Sequence, residues 1–455
     1  MGITTRAVID APIEEVFAWH ARSGALTRLL PPWQPMRPLA EATSLAVGTA
    51  MLGLPAGLRW PARHDPHAYD PPHRFVDRRV LAGPRTWPPA LAGPWRHEHL
   101  FAALPGERTE LTDRITAAVP AAALRATFRY RHRQLAEDLR AHAEARATGL
   151  ASSTIAVTGA SGLVGTALTA LLTTGGHRVI RLVRGPADGA DTRTWDPRDP
   201  DPALLDGVDA VIHLAGAPIF GRFSAAHRRE IRDSRVGPTR LLARAAARAD
   251  SGPEVFVSAS AIGFYGHDRT GERLDHTGDP GTGFLAETVR DWEAAAASAA
   301  DAGLRTVAVR TGIVQSPRGG VLRLQRPLFT AGLGGRLGSG RQYLSWIDID
   351  DLVDIYLRAL YDRALSGPID AVAPGAVTAA QYARTLARVL RRPAVLPVPK
   401  AGPALLLGRR GAAELALADQ HVVPTALLAR GHRFRRADLE DCLRHQLGRA
   451  DGDLR

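Results

Sequence analysis

The stretch that most restricts this chain is Ile155-Ala156-Val157-Thr158-Gly159-Ala160-Ser161-Gly162-Leu163-Val164-Gly165, which runs into the helix-forming segment Thr166–Thr173. Its first four residues read as a short buried strand. Gly159 allows a tight turn, Gly162 lets the backbone approach a pyrophosphate, and Gly165 lets the next helix pack on the strand. The helix start then offers free N–H groups and the positive end of its dipole to phosphate. A glycine triplet alone says little, but between a strand and a helix it predicts a dinucleotide-binding crossover. The residues expected to hold the cofactor from this loop are Gly159, Ser161, Gly162, Leu163, Val164 and Gly165.

The second strand predicts which dinucleotide. His177–Val183 runs into Arg184, and no acid follows until Asp188. An NAD site places an acid there to grip the ribose 2′-hydroxyl, whereas an Arg accommodates a 2′-phosphate. The expected cofactor is therefore NADP(H). Further strand candidates are Ala210–Leu214, Val255–Ser258 and Thr306–Arg310. Alternation of short apolar strands with helical stretches implies an α/β, doubly wound parallel sheet of the Rossmann type over residues 153–395. Ligands bind such sheets at the carboxyl ends of strands. That rule adds Asp196 near the third strand, Leu214, Ala215 and Gly216 after the fourth, and Ser258 at the end of the fifth.

Composition narrows the alternatives. The chain has 455 residues, a length that suggests more than one domain. Its net charge of +12 is spread as +5, +4 and +3 over residues 1–150, 151–395 and 396–455, with no basic arm, so no nucleic-acid partner is expected. Cys442 stands alone, which excludes an intrachain disulfide and fits a reducing compartment. No apolar run is long enough to span a bilayer and residues 1–12 lack a signal-peptide pattern, so no membrane partner and a cytoplasmic location are expected. Lys400 is the only lysine.

Residues 1–148 read as a separate α+β domain. Thr4–Asp10, Trp95–Phe101 and Arg108–Val119 are strand candidates, Pro12–Ala21 is a short helix, and Ala121–Ala147 is a long one. His97 and His99 fall on one strand face, but no third ligand stands out in the sequence, and no metal is expected. Trp19, Trp33, Trp60, Trp87 and Trp95 are candidates to line an apolar cavity or fill a core. Residues 396–450 read as a small helical C-terminal domain. Arg341, Gln342, Tyr343, Ser345 and Trp346 form a polar-aromatic cluster on a Gly-rich loop, and Arg341, Tyr343 and Trp346 are the candidate contacts for an unknown small-molecule substrate. Asp348, Asp350 and Asp351 are expected to cap the helix Leu352–Tyr361.

Val255-Phe256-Val257-Ser258-Ala259-Ser260-Ala261-Ile262-Gly263-Phe264-Tyr265-Gly266 resembles the extended short-chain dehydrogenase/reductase (epimerase-like) superfamily. Asp209–Pro218, Phe284–Glu287 with Trp292-Glu293, and Leu337–Gln342 with Ser345–Asp348 narrow the resemblance to an atypical epimerase family of NADP-binding, reductase-like proteins. Residues 396–450 are similar to that family's C-terminal domain of unknown function. The resemblance implies Ser260 as a catalytic hydroxyl, with Tyr265 as a further phenol candidate. The superfamily's proton-transferring Tyr and its Lys four residues later correspond to Leu285 and Val289, both apolar. No Tyr in the chain has a Lys at that spacing. Glu287 and Arg290, on the same stretch, are further candidates to reach a pocket. The first segment, from Val8–Phe17, Trp95–Phe101 and its closing helix, resembles a START-like helix-grip domain of the polyketide cyclase (SRPBCC) type, which implies an apolar ligand.

Two functional readings follow. One is an NADP(H)-dependent oxidoreductase or epimerase-like enzyme without the standard Tyr/Lys pair. The other is a non-catalytic NADP(H)-binding sensor or scaffold coupled to a ligand-binding first domain.

Overall fold

The computed structural model describes residues 2–90, 93–399 and 401–450. The chain divides into two compact units. One comprises residues 1–147 with 170–176 and 444–455, the other residues 148–169 and 177–443.

The first unit is an antiparallel sheet with helices. Its strands are β1 (Gly2–Ile9), β2 (Arg37–Ala40), β3 (Thr49–Gly53), β4 (Arg59–His64), β5 (Arg74–Arg79), β6 (Trp95–Leu104) and β7 (Arg108–Ala117), ordered β1-β7-β6-β5-β4-β3-β2. Period-two alternation sets the inner face: in β6, His97, His99 and Phe101 are buried while their neighbours are more open. The helix Ala121–Ala147 turns Leu124, Phe128, Leu135 and Leu139 inward. The core gathers Ile9, Phe17, Trp19, Phe75, Phe101, Leu111, Leu135 and Leu139. A cavity of about 470 Å³ remains between β3–β6 and the long helix. The five tryptophans of this segment part ways. Trp60 and Trp95 line that cavity, Trp19 is fully buried in the core, Trp33 is half-buried edge-on against Tyr130, and Trp87 is exposed.

The second unit is built on a seven-stranded sheet. Its strands are β8 (Thr154–Thr158), β9 (Arg178–Val183), β10 (Thr192–Thr194), β11 (Ala210–His213), β12 (Val255–Ala261), then Arg305–Thr311 and Gly367–Ala371. The order is β10-β9-β8-β11-β12 followed by those two, and every pairing is parallel. Strand order reverses direction between β8 and β11, the place where open α/β sheets leave a crevice for a ligand. All four residues of β11 are buried, as a strand covered on both faces requires.

Residues 396–443 pack within this second unit. They are not all helical: Asp419–Val422 is a strand pairing parallel with Asp268–Leu274. The Arg435 guanidinium, fully buried, makes two hydrogen bonds to Asp354 on the helix Ile349–Tyr361. Asp348 caps that helix by accepting from the Asp350 N–H at 2.8 Å. Asp351 instead accepts from the backbone N–H groups of Arg435 and Arg436, so it ties the C-terminal stretch down. Among the described residues, no helix is long and apolar enough to cross a membrane.

Candidate functional site

The Gly-rich loop leaves β8 at Thr158 and enters the helix Leu163–Thr174. Gly159 has φ 67°, a left-handed conformation, and a Cβ there would sit 2.9 Å from the Leu214 carbonyl carbon. Gly165 is needed for a different reason. A Cβ on it would lie 2.1 Å from the Gly159 carbonyl oxygen and 2.8 Å from Ala160 Cα, both backbone atoms of the loop beneath the helix. Ser161 and Gly162 are exposed, and Leu163 and Val164 are half-buried at the helix start. The loop therefore keeps open the space beside its N–H groups, the cradle a pyrophosphate needs.

The end of β9 supplies the charge. Arg184 is exposed, and its guanidinium makes no hydrogen bond or ion pair among the described residues. Arg181, three residues earlier in the strand, is engaged with Thr192 at 3.2 Å and lies 3.7 Å from Asp188. Asp196, exposed beyond β10, folds back on its own turn and accepts from the Arg198 N–H.

The β11 end is anchored by a chain of buried hydrogen bonds. The N–H groups of Leu214 and Ala215 both donate to Thr158 Oγ1, at 3.0 and 3.1 Å. With both lone pairs engaged, that hydroxyl donates its own proton to His213 Nδ1 at 2.7 Å. His213 Nε2–H then donates to Thr239 Oγ1 at 3.0 Å. Burial, aided by the nearby Arg235 charge, pushes the His213 pKa down to about 3, so the ring is neutral. Arg235 donates to the Ala217 carbonyl at 2.9 Å, and a Cβ on Gly216 would come within 3.0 Å of its guanidinium carbon. Burial pushes the Arg235 pKa down to about 10. Neither His213 nor Arg235 carried a sequence signal for this role, because each acts through a partner distant in the chain.

On the neighbouring strand, Ser258 is buried, opposite His213 in the β11–β12 pairing. Ser260 is also buried, and its hydroxyl donates to Glu293 Oε1 at 2.5 Å. Arg310 grips the same carboxylate with two hydrogen bonds of 2.9 Å and donates to Tyr265 Oη at 3.0 Å. Arg310 also lies 3.5 Å above the Phe264 ring centre. Tyr265 has its hydroxyl 2.8 Å from both Asp370 Oδ1 and the Asp275 carbonyl. Burial raises its pKa far above the usual phenol value, with the Asp370 charge adding to the effect. Burial likewise pushes Asp370 up to about 7. Tyr265 has no exposed surface, and its hydroxyl is fully engaged by Asp370, the Asp275 carbonyl and Arg310. Glu293 appeared in the sequence only as part of a motif. Its place under Ser260 comes from the helix Phe284–Ala297 packing against β12.

The polar-aromatic loop is divided by the fold. Arg341 is exposed, and Tyr343 is half-buried with its ring stacked 4.3 Å from His421. Trp346 is fully buried in a short strand and donates its indole N–H to the Gly375 carbonyl at 2.7 Å. All three residues of that strand, Trp346–Asp348, are buried. Leu285 and Val289 are buried in apolar clusters, while Glu287 and Arg290 face outward. Lys400 lies outside the described residues.

Comparison with known proteins agrees with this geometry. Residues 155–369 match the NAD dependent epimerase/dehydratase family, and residues 398–446 match a domain of unknown function (DUF1731). The chain is 40% identical over 297 residues to the epimerase family protein Mb2239 of Mycobacterium bovis, covering 65% of this chain and 97% of that one. Human epimerase family protein SDR39U1 is 35% identical over 283 residues, 62% of this chain and 94% of its own. Among solved structures, the nucleoside-diphosphate sugar epimerase from Corynebacterium glutamicum superposes with a TM-score of 0.85 at 42% identity, covering 98% of this chain and 90% of that one. The human SDR39U1 isoform 2 structure with NADPH superposes with a TM-score of 0.60 at 34% identity, over 65% of this chain and 99% of that one.

Proposed function

Because this chain belongs to the NAD dependent epimerase/dehydratase family, we propose that its second unit binds NADP(H) and uses it in an oxidoreductase or epimerase-like reaction that dispenses with the Tyr/Lys pair. One observation carries the cofactor choice: Arg184 stands exposed and unpaired at the end of β9, where an NAD site would place an acid. The human relative's NADPH complex supports the same choice. Gly159 and Gly165 shape the phosphate cradle, and the Thr158–His213–Thr239 chain holds Leu214 and Ala215 against it. Hydride transfer is chemistry that the cofactor brings when bound. The chain's own share is orientation and proton handling. For the latter the reading assigns the Ser260 hydroxyl, backed by Glu293, with Arg341 and Tyr343 on the substrate side. The antiparallel sheet and long helix of the first unit support reading it as a START-like helix-grip domain with an apolar ligand.

A second reading, a non-catalytic NADP(H)-binding sensor, is favoured by the apolar burial of Leu285 and Val289 and by the sealed Tyr265 hydroxyl. The first experiment is a calorimetric titration with NADPH and NADH for wild type and Arg184→Ala. A guanidinium–phosphate pair at an exposed site contributes about 1–2 kcal/mol, so the variant loses roughly five- to thirty-fold in NADPH affinity with NADH unchanged. Equal losses for both cofactors would remove Arg184 from the 2′-phosphate role. NADPH oxidation with a panel of carbonyl compounds, lost in Ser260→Ala, separates the enzyme from the sensor.

A further inference from the structure

Strand register in the first unit assembles a group that no local pattern announces. His97 and His99 lie two apart on β6, so both point to the inner face. Asp77 on β5 is the direct partner of His97, and Asp113 on β7 is the direct partner of His99. Two inward imidazoles are therefore flanked by two inward carboxylates. Asp113 acts from behind. Its Oδ1 accepts from His97 Nε2 at 2.8 Å, and its Oδ2 lies 2.6 Å from His132 Nε2 on the long helix. In front, His97 Nδ1 is 3.4 Å and His99 Nε2 is 3.8 Å from Asp77 Oδ2.

Those front distances are informative. Hydrogen bonds between such atoms run about 2.7–3.2 Å, and these are longer. Three donors held at about 2.0–2.1 Å from one tetrahedral ion stand roughly 3.4 Å apart. The three atoms here all lie within 4.8 Å of one another. His99 is 3% exposed, its Nδ1 lies 3.0 Å from Asp113 Oδ1, and its Nε2 stands 3.8 Å from Asp77 Oδ2, beyond hydrogen-bond distance. Nε2, the nitrogen turned toward Asp77, is thus left with no direct hydrogen bond and is available to a ligand in the space it faces. The ring's orientation is also imposed: Phe75 stacks on it with ring centres 4.0 Å apart, and Phe128 meets His97 edge-on at 5.2 Å. A carboxylate behind a ligating histidine is the usual means of fixing its tautomer and raising its basicity.

We propose that Asp77, His97 and His99 bind a divalent first-row transition ion of the zinc class at the polar end of the first unit's cavity. Two imidazoles and one carboxylate leave at least one coordination position open. That position faces a space of about 470 Å³ lined by groups such as Leu29, Leu45, Trp60 and Trp95. Arg131 lines the same cavity. With the histidines neutral, Asp77 and Asp113 against Arg131 leave one negative charge, and a divalent ion turns that into one positive charge. The open position therefore suits the oxygen of an apolar molecule bearing a carboxylate, enolate or phenolate. This assignment is independent of the cofactor reading of the second unit.

The test uses the full-length protein, stripped with chelator and titrated with Co²⁺ or Zn²⁺. Wild type is expected to retain one ion per chain through gel filtration, and its Co²⁺ form to show the intense visible absorption of a four- or five-coordinate site. Asp77→Asn and His99→Gln, near-isosteric changes, should each weaken retention at least tenfold. The outer-shell variant Asp113→Asn should weaken it by roughly ten- to a hundred-fold. X-ray absorption on the zinc-loaded wild type needs no variant, and should show two imidazoles and an oxygen at about 2.0–2.1 Å. No retained ion, an all-oxygen shell, or retention unchanged in folded variants would each overturn the site.

Discussion

Replacing His213 with Asn should remove a defined part of the protein's acid sensitivity. His213 has no exposed surface and is neutral, with its pKa pushed down to about 3 by burial and then by Arg235. In the unfolded chain a histidine titrates near 6.5. A depressed folded pKa contributes stability that is present above 6.5 and lost progressively as pH falls toward 3. At pH 5 the unfolded histidine is protonated while the folded one is not, which lowers the unfolding free energy by about 2 kcal/mol relative to pH 7. The hydrogen-bond chain explains why the ring resists the proton. Nδ1 accepts from Thr158, whose own lone pairs are taken by Leu214 and Ala215, so the N–H of a protonated ring would face a hydroxyl with no lone pair left to accept it. An Asn side chain keeps one acceptor and one donor but does not titrate. The assay is calorimetric or urea unfolding at pH 7 and pH 5, following the transition of the second unit. Wild type is expected to lose about 2 kcal/mol more than the variant between the two values, a difference of roughly 4–8 °C in melting temperature. Identical pH dependence in the two proteins would refute the buried neutral histidine. A Thr158→Val variant, which removes the anchoring hydroxyl, should weaken NADPH binding even at pH 7.

Other consequences can be measured directly. Gly165→Ala puts a methyl 2.1 Å from the Gly159 carbonyl oxygen, so loop and helix must separate at about 1–3 kcal/mol. Fluorescence titration should show NADPH affinity falling at least tenfold while the first unit's melting is unchanged. Asp370 is pushed up to about 7, mainly by burial, so its charge opposes folding as pH rises through that value. Asp370→Asn should stabilise the second unit by up to about 4 kcal/mol at pH 8, less the weakened bond to Tyr265, with the gain shrinking toward about 2 kcal/mol at pH 5. Denaturant midpoints at the two pH values give the comparison. Trp346→Phe removes the hydrogen bond to the carbonyl of the exposed Gly375 and should lower stability by about 0.5–1.5 kcal/mol with NADPH affinity intact. A selective loss of affinity there would return Trp346 to the binding site.

The parts of the site legible in the sequence are those made by neighbours in the chain. Strand, glycine loop and helix are contiguous, so Gly159 and Gly165 announce the turn and the close packing by position alone. Arg184 is legible for the same reason: it ends the strand it follows. Legibility fails where the role depends on what a side chain meets across the fold. Tyr265 and Trp346 stand in polar-looking segments, and only the fold shows that Asp370, Arg310 and Gly375 engage them from far along the chain. Residues 396–450 read as helical from their leucines and alanines, but Asp419–Val422 finds a strand partner at Asp268–Leu274, and that pairing overrides local preference.

The sequence by itself determined the parallel-sheet architecture of residues 153–395, through the alternation of short apolar strands with helices, and the tight strand-to-helix loop, through three glycines at fixed spacing. It also excluded the tyrosine–lysine proton relay, since the chain's single lysine follows no tyrosine at the required distance. The tertiary structure decided everything set by register and burial. It placed Glu293 under Ser260, His213 beneath Leu214, and Asp77 opposite His97. Spacing within a strand or helix is a property of the local chain, but which carboxylate faces which imidazole depends on how two strands slide past each other, and that is settled by the packing of the whole sheet.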